Sequence, residues 1–122
     1  MNRYTVVKPW VVKYPDPIVL APGQQVVIDP SRTEDNPEWQ GWAWCRSQDK
    51  EGWVPLQALD VRTQAGPILT ARAREAYSAR ELGVAPGETV EGDLITNGWL
   101  WCRKDGGLEY GWVPLENLVK ET

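Results

Sequence analysis

The chain lacks histidine and phenylalanine altogether, and its 122 residues include one methionine and two cysteines. Without histidine, it has no side chain that ordinarily exchanges protons near neutral pH, and it lacks the commonest ligand of transition metals. The sequence also contains no glycine-rich phosphate loop, no metal-ligand spacing and no carboxylate pair beside an obvious nucleophile. We therefore predict a protein that is not an enzyme and that holds neither a metal ion nor a cofactor.

Basic residues are outnumbered: 13 Lys and Arg stand against 17 Asp and Glu, which gives a net charge of −4. The acidic excess is equal in the two halves of the chain, and Lys and Arg form no run. Because nucleic-acid binding depends on clustered cations that neutralise phosphates, a nucleic-acid partner is not expected. A cationic segment of a partner protein suits this charge better.

Long apolar runs are missing as well. No 18 consecutive apolar residues occur, and residues 1–10 hold no apolar stretch of secretory length, so we predict a cytoplasmic protein without a membrane partner. Cys45 and Cys102 each lie inside a strand-like run. We expect both to be reduced, buried thiols that act as small core residues, which fits a reducing compartment.

What the sequence has in excess is tryptophan, with eight residues, and most of these lie in an internal repeat. Three blocks recur in the same order, separated by segments of different length, which indicates strands joined by adaptable loops. The blocks are Ala-Pro-Gly-Gln at 21–24 and Ala-Pro-Gly-Glu at 85–88, Gly-Trp-Ala-Trp-Cys-Arg at 41–46 and Gly-Trp-Leu-Trp-Cys-Arg at 98–103, and Gly-Trp-Val-Pro-Leu at 52–56 and 111–115.

The repeat predicts two domains, at 1–61 and 67–122, with a short linker at 62–66 that contains turn formers and no apolar period. Each copy has short β-rich runs punctuated by Gly, Pro and Asp and no sustained 3.6-residue period, which is typical of an all-β fold. Domains of about 60 residues lie near the lower size limit for independent stability, so the copies are expected to support each other.

The two-residue period of a strand predicts which side chains face the interior. In the first copy Ala43, Cys45 and Val54 are expected inside, so the large aromatic side chains point outward and need a cover. Cross-strand pairs of tryptophan are expected on that outer face. The outward set comprises Trp42, Trp44, Trp53 and Pro55, and Trp99, Trp101, Trp112 and Pro114 in the second copy, with Trp44 paired to Trp53 and Trp101 to Trp112.

The order of these blocks, closed by Leu59 or Leu118, resembles that of a Src homology 3 (SH3) domain, and the resemblance spans nearly the whole chain. In that family a strand pair that begins with a ligand-contacting Trp runs through a tight turn into a Gly-aromatic-aliphatic-Pro strand, which a single helical turn follows. The stretches 41–59 and 98–118 match this pattern. The resemblance implies an all-β chain of two tandem small SH3-like β-barrels joined by a short linker.

SH3 domains bind proline-rich segments in polyproline II form between aromatic ridges, and an acidic loop pairs with a ligand Arg or Lys. Carried over residue by residue, the resemblance implies a ligand-binding set of Trp10, Trp42, Pro55, Tyr77, Trp99 and Pro114. An acidic specificity loop would comprise Asp16, Glu34, Asp35 and Glu38. The sequence departs from the family at four groove positions, where Lys8, Glu75, Ala58 and Asn117 replace tyrosines and remove one proline slot in each copy.

Two functions from different classes are therefore open. The first is a non-enzymatic protein-interaction module that binds an extended, proline-rich or basic segment of a partner protein through tryptophan-lined grooves. The second is a structural or assembly unit, in which the tryptophan faces pack between the two barrels or in a homo-oligomer and bind no peptide. A third, similar to bacterial SH3-like domains that bind cell-wall peptides, requires export from the cytoplasm.

Overall fold

A computed structural model describes residues 1–29, 41–65 and 68–122. Within these ranges the chain forms twelve β-strands and two short 3₁₀ helices, with no α-helix, so the predicted all-β class is confirmed. The strands are β1 Arg3–Val6, β2 Val19–Leu20, β3 Gln25–Ile28, β4 Trp42–Ser47, β5 Lys50–Pro55, β6 Leu59–Ala65, β7 Ile68–Ala73, β8 Tyr77–Ser78, β9 Thr89–Thr96, β10 Trp99–Lys104, β11 Tyr110–Pro114 and β12 Leu118–Lys120. The 3₁₀ helices are Leu56–Ala58 and Leu115–Asn117.

The strands form two five-stranded sheets and one two-stranded sheet. The first large sheet has the order β11-β10-β9-β1-β12, the second has the order β5-β4-β3-β7-β6, and β2 pairs with β8 in the small sheet. In the part of the chain that the structure describes, none of these sheets closes into a barrel. The fold is therefore a set of open antiparallel sheets.

The chain divides into two compact units that do not follow the order of the repeats. Unit 1 consists of Met1–Pro15 and Arg80–Thr122, and unit 2 consists of Asp16–Ala79. The predicted boundaries, 1–61 and 67–122, differ from these units. Of the predicted linker 62–66, residues up to Ala65 belong to strand β6, and residue 66 lies outside the described residues.

The difference arises because the two repeats exchange their first strands. Strand β1, from the first repeat, lies between β9 and β12 of the second, with Tyr4 opposite Val90 on one side and Lys120 on the other. Strand β7, from the second repeat, lies between β3 and β6 of the first. Both strands carry inward residues at alternate positions, so the sequence pattern alone fits either arrangement.

Each unit has its own hydrophobic core. In unit 2 the predicted inward residues Ala43, Cys45 and Val54 are all buried in that core, which confirms the strand alternation. In unit 1 the corresponding Leu100, Cys102 and Val113 are completely buried. The exchanged strands contribute Tyr4 and Val6 to unit 1 and the much smaller Ala71 and Ala73 to unit 2.

A β-bulge in unit 1 depends on a glycine. The pairing of β10 with β9 shifts register between Trp101, which faces Leu94, and Arg103, which faces Glu91. A Cβ atom at Gly92, within this irregularity, would lie 2.2 Å from the backbone oxygen of Trp101. Because that neighbour is backbone, it cannot move aside as a flexible side chain would.

We therefore expect Gly92→Ala to lower the free energy of unfolding by about 2–3 kcal/mol through overpacking. The measurement is urea unfolding followed by tryptophan fluorescence. Gly83→Ala is the matched control, since a Cβ there would lie 3.6 Å from the Val12 side chain, at an ordinary contact distance. Equal stability of the two variants would contradict the packing at the bulge.

Candidate binding surface

The three predicted groove residues of unit 1 lie together, but two of them are buried. The Trp10 ring lies edge-on to the Trp99 ring, with 5.1 Å between centroids and 88° between planes. Trp99 is opposite Pro114 in the β10–β11 pair, and both side chains are fully buried, Trp99 with 1% exposure. Trp10 itself is half-buried. A ligand can therefore contact Trp10 directly but reaches Trp99 only if its neighbours move.

A buried carboxylate, Glu81, fixes Trp10 and the residues that follow it. One carboxylate oxygen accepts hydrogen bonds from Trp10 Nε1 at 2.9 Å and from the Lys13 backbone N–H at 3.3 Å, and the other accepts one from the Tyr14 N–H at 2.9 Å. Glu81 is 7% exposed. Burial raises the pKa of Glu81, and the three donors oppose that rise.

The buried Asn117 side chain has a structural role in unit 1. Its buried side-chain amide donates hydrogen bonds to the backbone oxygens of Pro9, at 3.1 Å, and Lys8, at 3.4 Å. Two backbone hydrogen bonds between Trp10 and Val84, at 2.9 and 3.0 Å, also hold this segment in unit 1. Asn117 thus attaches the segment before Trp10 to the 3₁₀ helix Leu115–Asn117.

Unit 2 holds the other three predicted groove residues, with Trp42 opposite Pro55 in the β4–β5 pair. Trp42 is 9% exposed and Pro55 is buried. Tyr77 is half-buried, and its hydroxyl donates a 2.9 Å hydrogen bond to the backbone oxygen of Trp53. Because of the strand exchange, Trp10 packs with the second repeat and Tyr77 with the first.

The remaining predicted positions have separate locations. Asp16 accepts a 2.8 Å hydrogen bond from Lys50 Nζ, and this contact raises the pKa of the lysine. Glu34, Asp35 and Glu38, the other members of the predicted acidic loop, lie outside the described residues. Ala58 is buried in the core of unit 2, and Glu75 is exposed.

The predicted cross-strand tryptophan pairs are confirmed. Trp44 and Trp53 have ring centroids 5.1 Å apart at 72°, and Trp101 and Trp112 have centroids 5.1 Å apart at 58°. Trp44, Trp53 and Trp112 are buried although their strand positions face outward, and Trp101 is half-buried. Aromatic pairs of this kind, one edge-to-face and one tilted, stabilise a sheet beyond the area that they bury.

Trp101 belongs to a partly exposed group that we call the aromatic patch: Leu94, Trp101, Arg103 and Tyr110. The Trp101 and Tyr110 rings stack with 6.1 Å between centroids and 14° between planes. The Arg103 guanidinium lies 5.7 Å from the centroid of the Tyr110 ring. Leu94, opposite Trp101 in the sheet, is 55% exposed.

The aromatic patch was not predicted from the sequence, although the sequence contains one signal of it. The residue that precedes the recurring Gly-Trp-Val-Pro block is Glu51 in the first repeat and Tyr110 in the second. In unit 2 the indole of Trp44 donates a 3.4 Å hydrogen bond to Glu51 and is buried, whereas in unit 1 Trp101 stacks on Tyr110. A difference between otherwise matching repeats was therefore the available indication.

A charged cluster centred on Arg3 attaches β1 to unit 1. The guanidinium contacts Glu91 at 3.1 Å, Asp105 at 3.3 Å and Glu121 at 3.2 Å. The hydrogen bond and the charge of Arg3 hold the pKa of Asp105 below its usual range. The three carboxylates come from β9, from the turn after β10 and from the segment after β12, so a single side chain ties these parts together.

Both cysteines are free and completely buried, Cys45 in unit 2 and Cys102 in unit 1. Burial raises the pKa of each thiol to about 12, so both are neutral and unreactive at physiological pH. Across the three described ranges, no group of three or more His, Cys, Asp or Glu side chains is arranged to hold a metal ion. In the same part of the chain, no helix has the length and hydrophobicity needed to cross a membrane.

No family model matches the chain, and no curated protein and no solved structure matches it either.

We expect Glu81→Ala to lower the free energy of unfolding by about 2–4 kcal/mol, because three N–H donors lose their acceptor. Chemical unfolding near neutral pH measures this change. Glu116→Ala, at an exposed glutamate of the same unit, serves as the control and should differ little from wild type. If both variants unfold alike, the hydrogen bonds that Glu81 accepts contribute nothing to stability.

The raised pKa of Glu81 also predicts a pH dependence. Because the folded pKa exceeds the unfolded value of about 4.3, the part of the stability that comes from protonation of Glu81 is fully present below pH 4.3 and is lost as pH rises through the folded pKa. The hydrogen bonds that Glu81 accepts are a separate contribution, which remains at neutral pH. Glu81→Gln cannot titrate, so the unfolding free energy of wild type minus that of the variant should decrease with rising pH. Unfolding curves at a series of pH values give this slope. Glu81→Ala should give the same slope, and a slope of opposite sign would rule out the raised pKa.

Proposed function

We propose that the chain is a non-enzymatic protein-interaction module of two SH3-like units, which binds an extended segment of a partner protein. The order of elements supports this: each large sheet has one first strand, three meandering strands, a 3₁₀ helix after a proline and a last strand. The 3₁₀ helices begin after Pro55 and Pro114, at matching positions of the two repeats.

The aromatic patch of unit 1 is the observation that carries the proposal. Trp, Tyr and Arg are the residue types that dominate binding energy at protein interfaces, where they combine large contact areas with hydrogen-bonding capacity. Here Trp101, Tyr110 and Arg103 lie together on one face of the sheet, beside the exposed Leu94. Binding of a proline ring or an aliphatic side chain of a partner would bury exposed apolar surface of these residues, which is favourable.

The predicted grooves have a smaller part in this proposal. Four of the six groove residues are buried, namely Trp42, Pro55, Trp99 and Pro114. Trp10 and Tyr77 stay half-buried and are the groove positions that a ligand can touch without rearrangement. We therefore place the principal contacts at the aromatic patch, with Trp10 as a second contact region of unit 1.

The burial of the groove tryptophans favours a second candidate, the structural or assembly unit. Trp99 at 1% and Trp42 at 9% exposure behave as core residues, and their rings stabilise the sheets. If this is their whole role, the chain is a structural or assembly unit that binds no peptide. The two candidates differ in whether any indole responds to a peptide.

The deciding experiment follows the eight indole N–H signals by NMR during addition of proline-rich peptides with and without basic flanks. We expect the Trp101 signal to shift, because its ring is accessible and the buried indoles are not. Tyr110→Ala should weaken peptide binding by about tenfold or more, as truncation of a central interface aromatic does.

Leu108→Ala is the matched control, since Leu108 is exposed in the same unit and lies outside the patch. Shifts at Trp42 or Trp99 instead would place binding in the predicted grooves. An absence of indole shifts with every peptide would favour the structural candidate.

A further inference from the structure

Unit 1 is completed by a segment that is joined to it through unit 2. Residues 1–15 belong to unit 1, but the chain then passes through the whole of unit 2, from Asp16 to Ala79, before it returns at Arg80. Segment 1–15 supplies β1, the central link between β9 and β12, and Trp10, which covers Trp99. The remainder of unit 1 is therefore an acceptor for a segment that another copy of the chain also carries.

The acceptor recognises segment 1–15 along its whole length. Tyr4 and Val6 fill the core of unit 1, and the outward Arg3 contacts three carboxylates. The Asn2 backbone N–H donates a 2.8 Å hydrogen bond to Asp93, and Glu81 accepts the three hydrogen bonds from residues 10–14 described above. All of these partners lie between residues 80 and 122.

The shape of the acceptor discriminates between the two exchanged strands. Strand β7 presents Ala71 and Ala73 where β1 presents Tyr4 and Val6. If β7 filled the acceptor in unit 1, it would leave cavities where the Tyr4 ring and the Val6 methyl groups now pack, and such cavities are strongly destabilising. The repeat's own first strand is thus a poor substitute, and segment 1–15 is the fitting occupant.

The connection between segment 1–15 and unit 2 is short. The Tyr14 N–H is fixed in unit 1 by Glu81, and Asp16 is fixed in unit 2 by Lys50. Pro15 is the one residue between these anchors, and Pro17 follows. Prolines restrict their own φ and extend the preceding residue, so the chain has few ways to close over this hinge. Short hinge loops under such constraint invite exchange of elements between chains.

We propose that two copies of this chain form a dimer by reciprocal exchange of segment 1–15, each segment completing unit 1 of the other copy. The contacts in the acceptor are the same in the closed monomer and in the exchanged dimer, so the balance depends on concentration and on the hinge. A short covalent connection provides an effective concentration of about 1 mM, and exchange becomes prominent as the chain concentration approaches that value.

Disulfide trapping tests the exchange in full-length chains. Thr5 lies opposite Thr89 in the β1–β9 pair, where Cβ atoms are close enough for a disulfide after small adjustment. Thr5→Cys and Thr89→Cys chains, made separately, are mixed at about 1 mM, unfolded in urea, refolded together and oxidised. The exchange predicts a covalent heterodimer between the two variants, with several-fold higher yield than a Thr5→Cys and Leu108→Cys mixture, which reports random collisions.

Two further measurements test whether the bond can form and whether the hinge controls the exchange. The double variant Thr5→Cys/Thr89→Cys, oxidised at low concentration, should give a cross-linked monomer, which establishes that the paired positions can form the bond. Deletion of Pro15 should raise the dimer fraction in light scattering, and insertion of a Gly-Ser-Gly spacer after Pro15 should lower it. The proposal is overturned if the double variant forms its cross-link but the heterodimer yield is no higher than in the Leu108→Cys control.

Discussion

The pairing of β1 with both β9 and β12 is the constraint on which the rest of unit 1 depends. Without β1, strand β12 would have no neighbour in its sheet, and β9 would be an edge strand. The same strand places Tyr4 and Val6 in the core and leads directly to Trp10, which packs on Trp99. Sheet continuity, core volume and the cover over Trp99 therefore have one common source, and it is distant in sequence from the residues that it completes.

The tryptophans divide according to how much of their surface the sheets enclose. A buried aromatic side chain removes about 150–250 Å² from water, so a few of them can stabilise a small unit whose other core residues are mostly Val, Ala, Leu, Ile and Cys. Trp44, Trp53, Trp99 and Trp112 serve in this way. Trp101 is only half-buried, so the sheet leaves part of its ring exposed.

Much of each sheet could be predicted from the sequence because the strand period is two and the blocks recur. Alternation places Ala43, Cys45 and Val54 inside and pairs Trp44 with Trp53, and the structure agrees. The strand exchange could not be predicted in this way, since Tyr4 and Val6 alternate just as Ala71 and Ala73 do. Which first strand fills which core depends on volume complementarity among residues far apart in the chain, and a repeat pattern does not contain that information.

The candidate site was harder to predict for a related reason. Sequence resemblance located Trp99 and Pro114 as a surface for ligands, but their exposure depends on what covers them, here Trp10 for the Trp99 ring. Glu81 was overlooked because a lone glutamate ordinarily indicates a solvated position. Its value as an acceptor appears only when the backbone N–H groups of Lys13 and Tyr14 are brought to it by the exchanged segment.

The register of segment 1–15 is specified twice, by different physics. A slip of one residue would turn Tyr4 and Val6 outward and Thr5 inward, which the core of unit 1 opposes. It would also move Arg3 from its three carboxylates to the other face of the sheet. Exposed ion pairs contribute about 0–1 kcal/mol each, so the Arg3 cluster is suited to selecting the register. The affinity of the segment for its acceptor therefore comes mainly from the buried Tyr4 and Val6 side chains and from the buried hydrogen bonds to Glu81, where water is excluded.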